Sequence, residues 1–284
     1  MTSSFSKPFH VARYQVASDL WFETSIRLAI LSDLHACSRW MPLPRLARLV
    51  AQVNSERPDL ILMPGDFLVG HLFGKRPVPA AAVAEVLKEL WAPLGVFATL
   101  GNHDWSDCPQ ACRNGYTHSS VAGALESVGI PVLSNRNTAL RRNAYLVGLD
   151  SAIGAGTTLR PDARHDPQTA FKGVPEGAST ILMAHEPDFF LDQCRPVALQ
   201  VSGHTHGGQV GALGIWATRP SRYGTRLDYG LKRDGGRNLV VTAGVGYGGV
   251  PVRIGKVSEF AIVTLHPSCA ADRRSAAPAQ ALGN

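Results

Sequence analysis

The sequence predicts an α/β fold, with parallel strands covered by helices. Three observations carry that expectation: uninterrupted apolar runs, helical stripes between them, and polar clusters directly after the runs. The first run, 27–32 (RLAILS), reads as a central strand. A helix over 42–56 follows, because Leu43, Leu46, Ala47, Val50 and Val53 share one face and Pro42 suits its first turn. The second strand is 59–63 (DLILM). The second helix is 80–91, with Val83, Val86, Leu87 and Leu90 on one stripe, and 95–100 (GVFATL) is the third strand.

Beyond this β-α-β-α-β opening, a helix is expected over 119–128, then strands at 131–133 and 145–149. Residues 151–178 read as a long polar loop. Two more buried strands are 180–184 (TILMA) and 198–202 (ALQVS). After Gly207 the chain is glycine-rich, with short strands near 238–242 and 259–265 and no helix. No linker divides residues 26–266, which are expected to form one domain. Residues 1–25 read as an irregular N-terminal extension and 267–284 as a disordered tail of small and polar residues.

Composition narrows the function classes. Of 284 residues 45% are hydrophobic, enough for a sizeable core. The formal charge is +6, which favours an anionic partner without selecting one. Basic residues are scattered in ones and twos, so no specific nucleic-acid binding is expected. Five cysteines, odd in number and widely spaced, argue against a disulfide framework and suit a reducing compartment. Cys108 and Cys112 form a C-x3-C pair with only His118 near, too few ligands for a zinc knuckle. With no apolar stretch of membrane-spanning length and no export signal, a soluble cytoplasmic protein is expected, peripheral membrane contact being left open.

The chemistry gathers where strands end. Asp33 and His35 follow the first strand, Asp66 the second, and Asn102, His103 and Asp104 the third; His185 follows TILMA, and His204 and His206 follow ALQVS. In an open α/β sheet these carboxyl ends line the ligand crevice. Singly, each has a bland reading as a turn, a helix cap or a core histidine. Together they are unexplained by packing, because burying such groups without partners costs several kcal/mol each. Carboxylate and imidazole without thiolate suit Mn²⁺, iron, Zn²⁺ or Co²⁺. Seven candidate ligands exceed the needs of one ion and fit two ions sharing a carboxylate, an arrangement suited to displacement at phosphorus.

The order D-x-H…GD…GNHD…H…GHTH resembles the calcineurin-like metallophosphoesterases over residues 26–265. GHTHGGQ at 203–209, AHEPDFF at 184–190 and GVGYGGVPVR at 244–253 resemble the bacterial YkuE/YaeI-like phosphodiesterase branch. The resemblance implies a four-layer α/β/β/α sandwich of two mixed sheets. It implies two divalent metal ions (Mn²⁺, Fe²⁺/Fe³⁺, Zn²⁺ or Co²⁺), one on Asp33, His35 and His206, the other on Asn102, His185 and His204, with Asp66 bridging. A metal-bridging hydroxide would attack a phosphate ester. His103 would contact the phosphate and serve the leaving oxygen, Asp104 would orient His103, and Arg253 would meet the substrate phosphate. Arg136, Arg219 and Arg222 are further candidates for loops over the metals. The chain departs from the branch in lacking an N-terminal membrane or export segment, in Ala36–Cys37 after the first motif, and in Lys256–Val257–Ser258 before the last strand. Cys37 reads as a buried thiol, and 107–117 as a loop able to shape the cleft. Alternatives on the same core are a phosphomonoesterase or a nucleotide-lipid pyrophosphatase; a scaffold that has lost catalysis is disfavoured because all seven ligand positions are filled.

Overall fold

The computed structural model describes residues 7–68, 78–157, 160–192, 195–209, 211–212, 215–216 and 221–268. The first half contains β1 (His10–Ser18), β2 (Ile26–Ile30), α1 (Leu43–Ser55), β3 (Leu60–Pro64), α2 (Ala80–Leu87), β4 (Val96–Thr99), α3 (His103–Ser106), α4 (Pro109–Arg113) and α5 (Ser120–Ser127). The second half contains β5 (Arg136–Arg141), β6 (Ala144–Gly148), α6 (Pro167–Ala170), β7 (Ser179–Met183), α7 (Phe189–Asp192) and β8 (Leu199–Ser202). A small hairpin, β9 (Gly211–Ala212) and β10 (Ile215–Trp216), precedes β11 (Gly230–Asp234), β12 (Arg237–Val241) and β13 (Glu259–Pro267).

Two mixed sheets result, with strand orders β1-β13-β2-β3-β4 and β11-β12-β8-β7-β6-β5. Successive side chains on a strand face opposite ways, and both faces of the central strands are covered. Leu28, Ile30, Leu60 and Leu62 of the first sheet share one apolar cluster with Leu146, Ile181, Met183 and Val201 of the second. Ala29, Leu31, Ile61 and Met63 join Leu46, Leu49, Val53, Val83 and Leu87 of the helices. On the outer side of the second sheet, Val147 and Leu182 cluster with Phe171 and Val174. Helices, sheet, sheet and outer cover make the expected α/β sandwich, and the continuous apolar runs are explained by burial on both sides.

Several expectations need correction. Residues 10–18, assigned to an irregular extension, form β1, which pairs in parallel with β13 from His10 opposite Glu259 to Ser18 opposite Pro267. Only Ala12, Val16 and Ser18 of this edge strand are buried, so its alternating pattern lacks an apolar run. The expected strand at 131–133 is a single bridge between Ala98 and Val132. Helix α2 stops at Leu87, not 91: Lys88 is its C-cap, and the closing bonds run from the Lys88 N–H to the Ala84 carbonyl and from the Glu89 N–H to the Val86 carbonyl as the chain turns. The polar loop 151–178 contains α6, started by Asp166, whose side chain accepts from the Thr169 N–H. The edge strands β5 and β11 were not anticipated; both are half-exposed. The expected tail lies mostly outside the described residues. No helix among the described residues is long and apolar enough to cross a membrane.

The role of β1 is testable. Val16→Asp would place an unpaired carboxylate in the core between the sheets and should destabilise by about 3 kcal/mol or more. Gln15→Asp, on the exposed side of the same strand, should stay within about 0.5 kcal/mol. Urea unfolding of the two variants checks this.

Candidate metal centre

Six of the seven expected ligands converge through side-chain atoms. His35 Nε2 lies 3.1 Å from His206 Nε2, and His206 Nε2 lies 3.5 Å from Asp33 Oδ1. His204 Nδ1 lies 3.3 Å from His185 Nε2. Asp66 stands between the two groups: its Oδ2 is 3.6 Å from His35 Nε2 and 3.2 Å from His185 Nε2. Its other oxygen, Oδ1, accepts from the His103 backbone N–H at 3.0 Å. The seventh residue, Asn102, does not use its side chain to cap α3, and its Oδ1 is buried with no hydrogen-bond partner.

The backbone is bent to achieve this. Asp33, His35, Asp66, His204 and His206 all have positive φ, five of the eight such non-glycine residues described. Each costs on the order of 1–3 kcal/mol and persists only where surroundings enforce it. Two glycines show how tightly the strand ends meet. A Cβ on Gly101 would lie 2.2 Å from Asp66 Oδ1, and one on Gly203 would lie 2.3 Å from Asp33 Oδ2.

Histidine orientation is set from behind. His35 Nδ1 donates to the Leu68 carbonyl at 2.9 Å and His185 Nδ1 to the Pro64 carbonyl at 2.6 Å. Carbonyls only accept, so Nδ1 carries a proton in both rings and Nε2 is the atom aimed into the cluster. Burial opposes the charge of His185, but Asp66, Glu186 and Asp33 outweigh it and hold His185 well above the usual imidazole range. Burial pushes His204 down to about 4, with the charge of His185 adding to the fall. Burial and His35 hold His206 well below the usual imidazole range. Both are thus neutral, the form that binds metal. Burial pushes Asp33 up to about 6, with Asp66 adding to the rise against the pull of His185. Buried carboxylates, converging imidazole nitrogens and an orphaned amide oxygen form a donor set that fits divalent cations. The groups Asp33–His35–His206 and Asp33–Asp66–His185 each bring their donor atoms within 4.8 Å of one another.

His103 sits at the edge of the cluster, its ring 5.3 Å from that of His35. Its Nδ1 is 2.9 Å from Asp107 Oδ2. Burial opposes its charge, but Asp66 and the hydrogen-bonded Asp107 outweigh it and raise His103 to about 8.

Two expected roles are overturned here. Asp104 does not orient His103. Its carboxylate is buried and accepts four backbone N–H bonds, from Asp66, Phe67, Leu68 and Gly101 at 2.8–3.0 Å. It clamps the loop carrying Asp66 to the loop carrying Asn102. Arg253 is not available to a substrate phosphate. Its guanidinium turns inward and donates to the carbonyls of Ala243, Gly244, Gly246 and His206. Arg136 pairs with Glu126 and Arg222 with Asp192; Arg219 lies outside the described residues. Cys37 is buried, and its Sγ accepts from the Trp40 N–H. Cys108 Sγ caps α4, and neither it nor Cys112 joins a metal-holding group among the described residues. A cavity of about 1090 Å³ lies beside the site, lined by Trp105, Asp107, Arg113, Thr117 and Asp150 among others, so the 107–117 segment does shape a cleft.

Sequence reasoning missed two acids. Asp107 holds His103 from four residues along one helical turn. Glu186, next to His185, groups with His185 and His204. Its carboxylate accepts from the Ser151 hydroxyl and from the Ala152 N–H, fastening the 151–154 loop beside the centre. Its place directly after a strand-end histidine was the available signal.

The fold and this constellation define a metal-dependent phosphoester hydrolase. The calcineurin-like phosphoesterase family matches residues 26–208, and the chain belongs to it. Its relatives include the bacterial pair that defines the YkuE/YaeI-like branch. It is 28% identical over 242 residues to "Phosphodiesterase YaeI" of Escherichia coli, covering 84% of this chain and 82% of that protein. It is 27% identical over 246 residues to "Uncharacterized metallophosphoesterase YkuE" of Bacillus subtilis, covering 84% and 78%. It is also 31% identical over 253 residues to "Transmembrane protein with metallophosphoesterase domain" of Danio rerio; there the match covers 84% of this chain but 53% of the longer relative.

Asp104→Ala should destabilise the protein by about 3 kcal/mol or more, since it strands four buried N–H groups. Gly101→Ala should lose metal affinity, because its Cβ would lie 2.2 Å from Asp66 Oδ1 and 2.6 Å from the Asp66 backbone nitrogen. Urea unfolding and elemental analysis distinguish the two outcomes.

Proposed function

We propose that this chain hydrolyses a phosphodiester at a centre of two divalent metal ions. The observation that carries the reading is the position of Asp66 Oδ2 between His35 and His185, which belong to different ligand groups. Asp33, His35 and His206 would hold one ion, Asn102, His185 and His204 the other, and Asp66 would serve both. When bound, ions of the Mn²⁺, iron, Zn²⁺ or Co²⁺ class would activate water and neutralise phosphate charge.

The chain's own residues do the rest. The His103 N–H occupies Asp66 Oδ1 and so leaves Oδ2 to the shared position. Asp107 accepts from His103 Nδ1 and keeps Nε2 for the substrate. His103 then delivers a proton from Nε2 to the departing alkoxide. Asp104, by clamping the Asp66 loop, keeps the shared carboxylate in register with Asn102. The diester preference is supported by the relative in Escherichia coli that carries a phosphodiesterase name. A cytoplasmic location belongs to the same reading, supported by three free cysteines among the described residues.

Hydrolysis of bis(p-nitrophenyl) phosphate should exceed that of p-nitrophenyl phosphate when the apo-protein is reloaded with Mn²⁺, Zn²⁺ or Co²⁺. A strong monoester preference would contradict the reading. His103→Ala should retain both metals and lower turnover by about 10²–10⁴. The loss should be smaller for a p-nitrophenyl leaving group than for an alkyl alcohol. Asp107→Asn should lower turnover by about 10–100-fold with metal content unchanged. Loss of metal in His103→Ala would reverse the assignments of Asn102 and His103.

A further inference from the structure

Six large apolar side chains are exposed among the described residues: Phe22, Trp91, Val250, Val252, Ile254 and Val257. Phe22 and Trp91 stand singly, beside the start of β7 and beside the end of α1, away from the strand ends that carry the metal centre. Scattered exposed residues of that kind are ordinary. The other four fall within eight residues and are 39–58% exposed.

This segment is anchored. Gln209 Nε2 donates to the carbonyls of Gly248 and Val250, its Oε1 accepts from the Gly248 N–H, and its carbonyl accepts from the Ile254 N–H. Arg253 turns inward to the carbonyls of Ala243 and Gly246. Its neighbours Val252 and Ile254 are consequently displayed outward from a fixed backbone.

The display adjoins the metal centre. A Cβ on Gly248 would lie 2.5 Å from His206 Nε2. Tyr247 meets Trp40 across the rim, ring centroids 6.3 Å apart, and the exposed Arg39 lies 4.9 Å over the Trp40 ring. Lys256 sits 3.8 Å over Tyr229. Apart from the inward-turned Arg253, the two rim stretches, 36–42 and 244–258, carry the cations Arg39 and Lys256 and no Asp or Glu, in a chain of net charge +6. Aliphatic tips, Trp and Tyr rings and cations without carboxylates match the layered chemistry of a bilayer surface: acyl chains, interface and phosphate headgroups.

We propose that this rim docks on an anionic lipid bilayer, presenting the metal centre to phosphodiesters in the headgroup layer. The substrate class rests on the catalytic reading; the docking does not.

Co-sedimentation of the full chain with vesicles tests it, using phosphatidylcholine alone and an equal mixture with phosphatidylglycerol. The protein should pellet with the mixed vesicles and be released by salt. The double variant Val252→Ser/Ile254→Ser should partition about tenfold more weakly. It should hydrolyse soluble bis(p-nitrophenyl) phosphate as the parent does, while releasing less glycerol phosphate from the mixed vesicles. Failure of the parent protein to pellet with either composition overturns the docking and leaves a protein partner as the occupant of the rim. Undiminished pelleting of the double variant overturns it too. Vesicle binding that depends on Val252 and Ile254, with no hydrolysis of either diester, supports the docking and counts against the catalytic reading.

Discussion

The buried carboxylate of Asp66 is the constraint around which the site is arranged. Its Oδ2 lies within 3.6 Å of histidines from two different strand ends, and among the described residues no lysine or arginine forms an ion pair with it. Such a group is tolerated only if its surroundings are rigid and a cation completes them. The rigidity is visible. Asp104 collects four N–H groups from the two loops flanking Asp66. Carbonyls of Leu68 and Pro64 fix the rings of His35 and His185. Five of the candidate ligands accept left-handed backbone conformations, with their side chains aimed at one volume.

The sandwich makes that strain affordable. Strands β2, β3, β7 and β8 are buried on both faces, and their carboxyl ends emerge side by side where the two sheets meet. Loops leaving such ends have little freedom, since the preceding residues are locked in a close-packed core. Gly101 and Gly203 let neighbouring loops approach to distances a Cβ would forbid. On the far side, Arg253 and Gln209 spend their polar atoms on backbone carbonyls and brace the glycine-rich segment that walls in His206. The motif residues near the centre therefore divide into those that face the cluster and those that hold the backbone behind it.

That division marks how far the sequence was legible. Double-sided burial writes long apolar runs, so the central strands and their polar ends were readable, and with them the candidate ligands. Edge strands write a weaker signal. β1 buries Ala12, Val16 and Ser18 in alternation with exposed Arg13 and Gln15, and it was read as irregular chain. Roles that depend on which partner a polar atom meets were also hidden. Asp104 and Asp107 lie three residues apart on the same turn, yet Asp104 bonds backbone and Asp107 bonds His103. The family resemblance suggested a phosphate contact for Arg253, but its guanidinium turns inward to backbone carbonyls. Residue type and spacing set the chemistry available, whereas tertiary packing decided which atom received it.

The central claim is that one buried carboxylate serves two metal positions. Elemental analysis of the purified chain and of Asp66→Ala, each reconstituted with Mn²⁺ and freed of unbound ion, tests it most directly. The account predicts two metals per parent chain and less than one in the variant, because removing the shared carboxylate weakens both positions together. One metal in the parent chain, or two tightly held in Asp66→Ala, would contradict it.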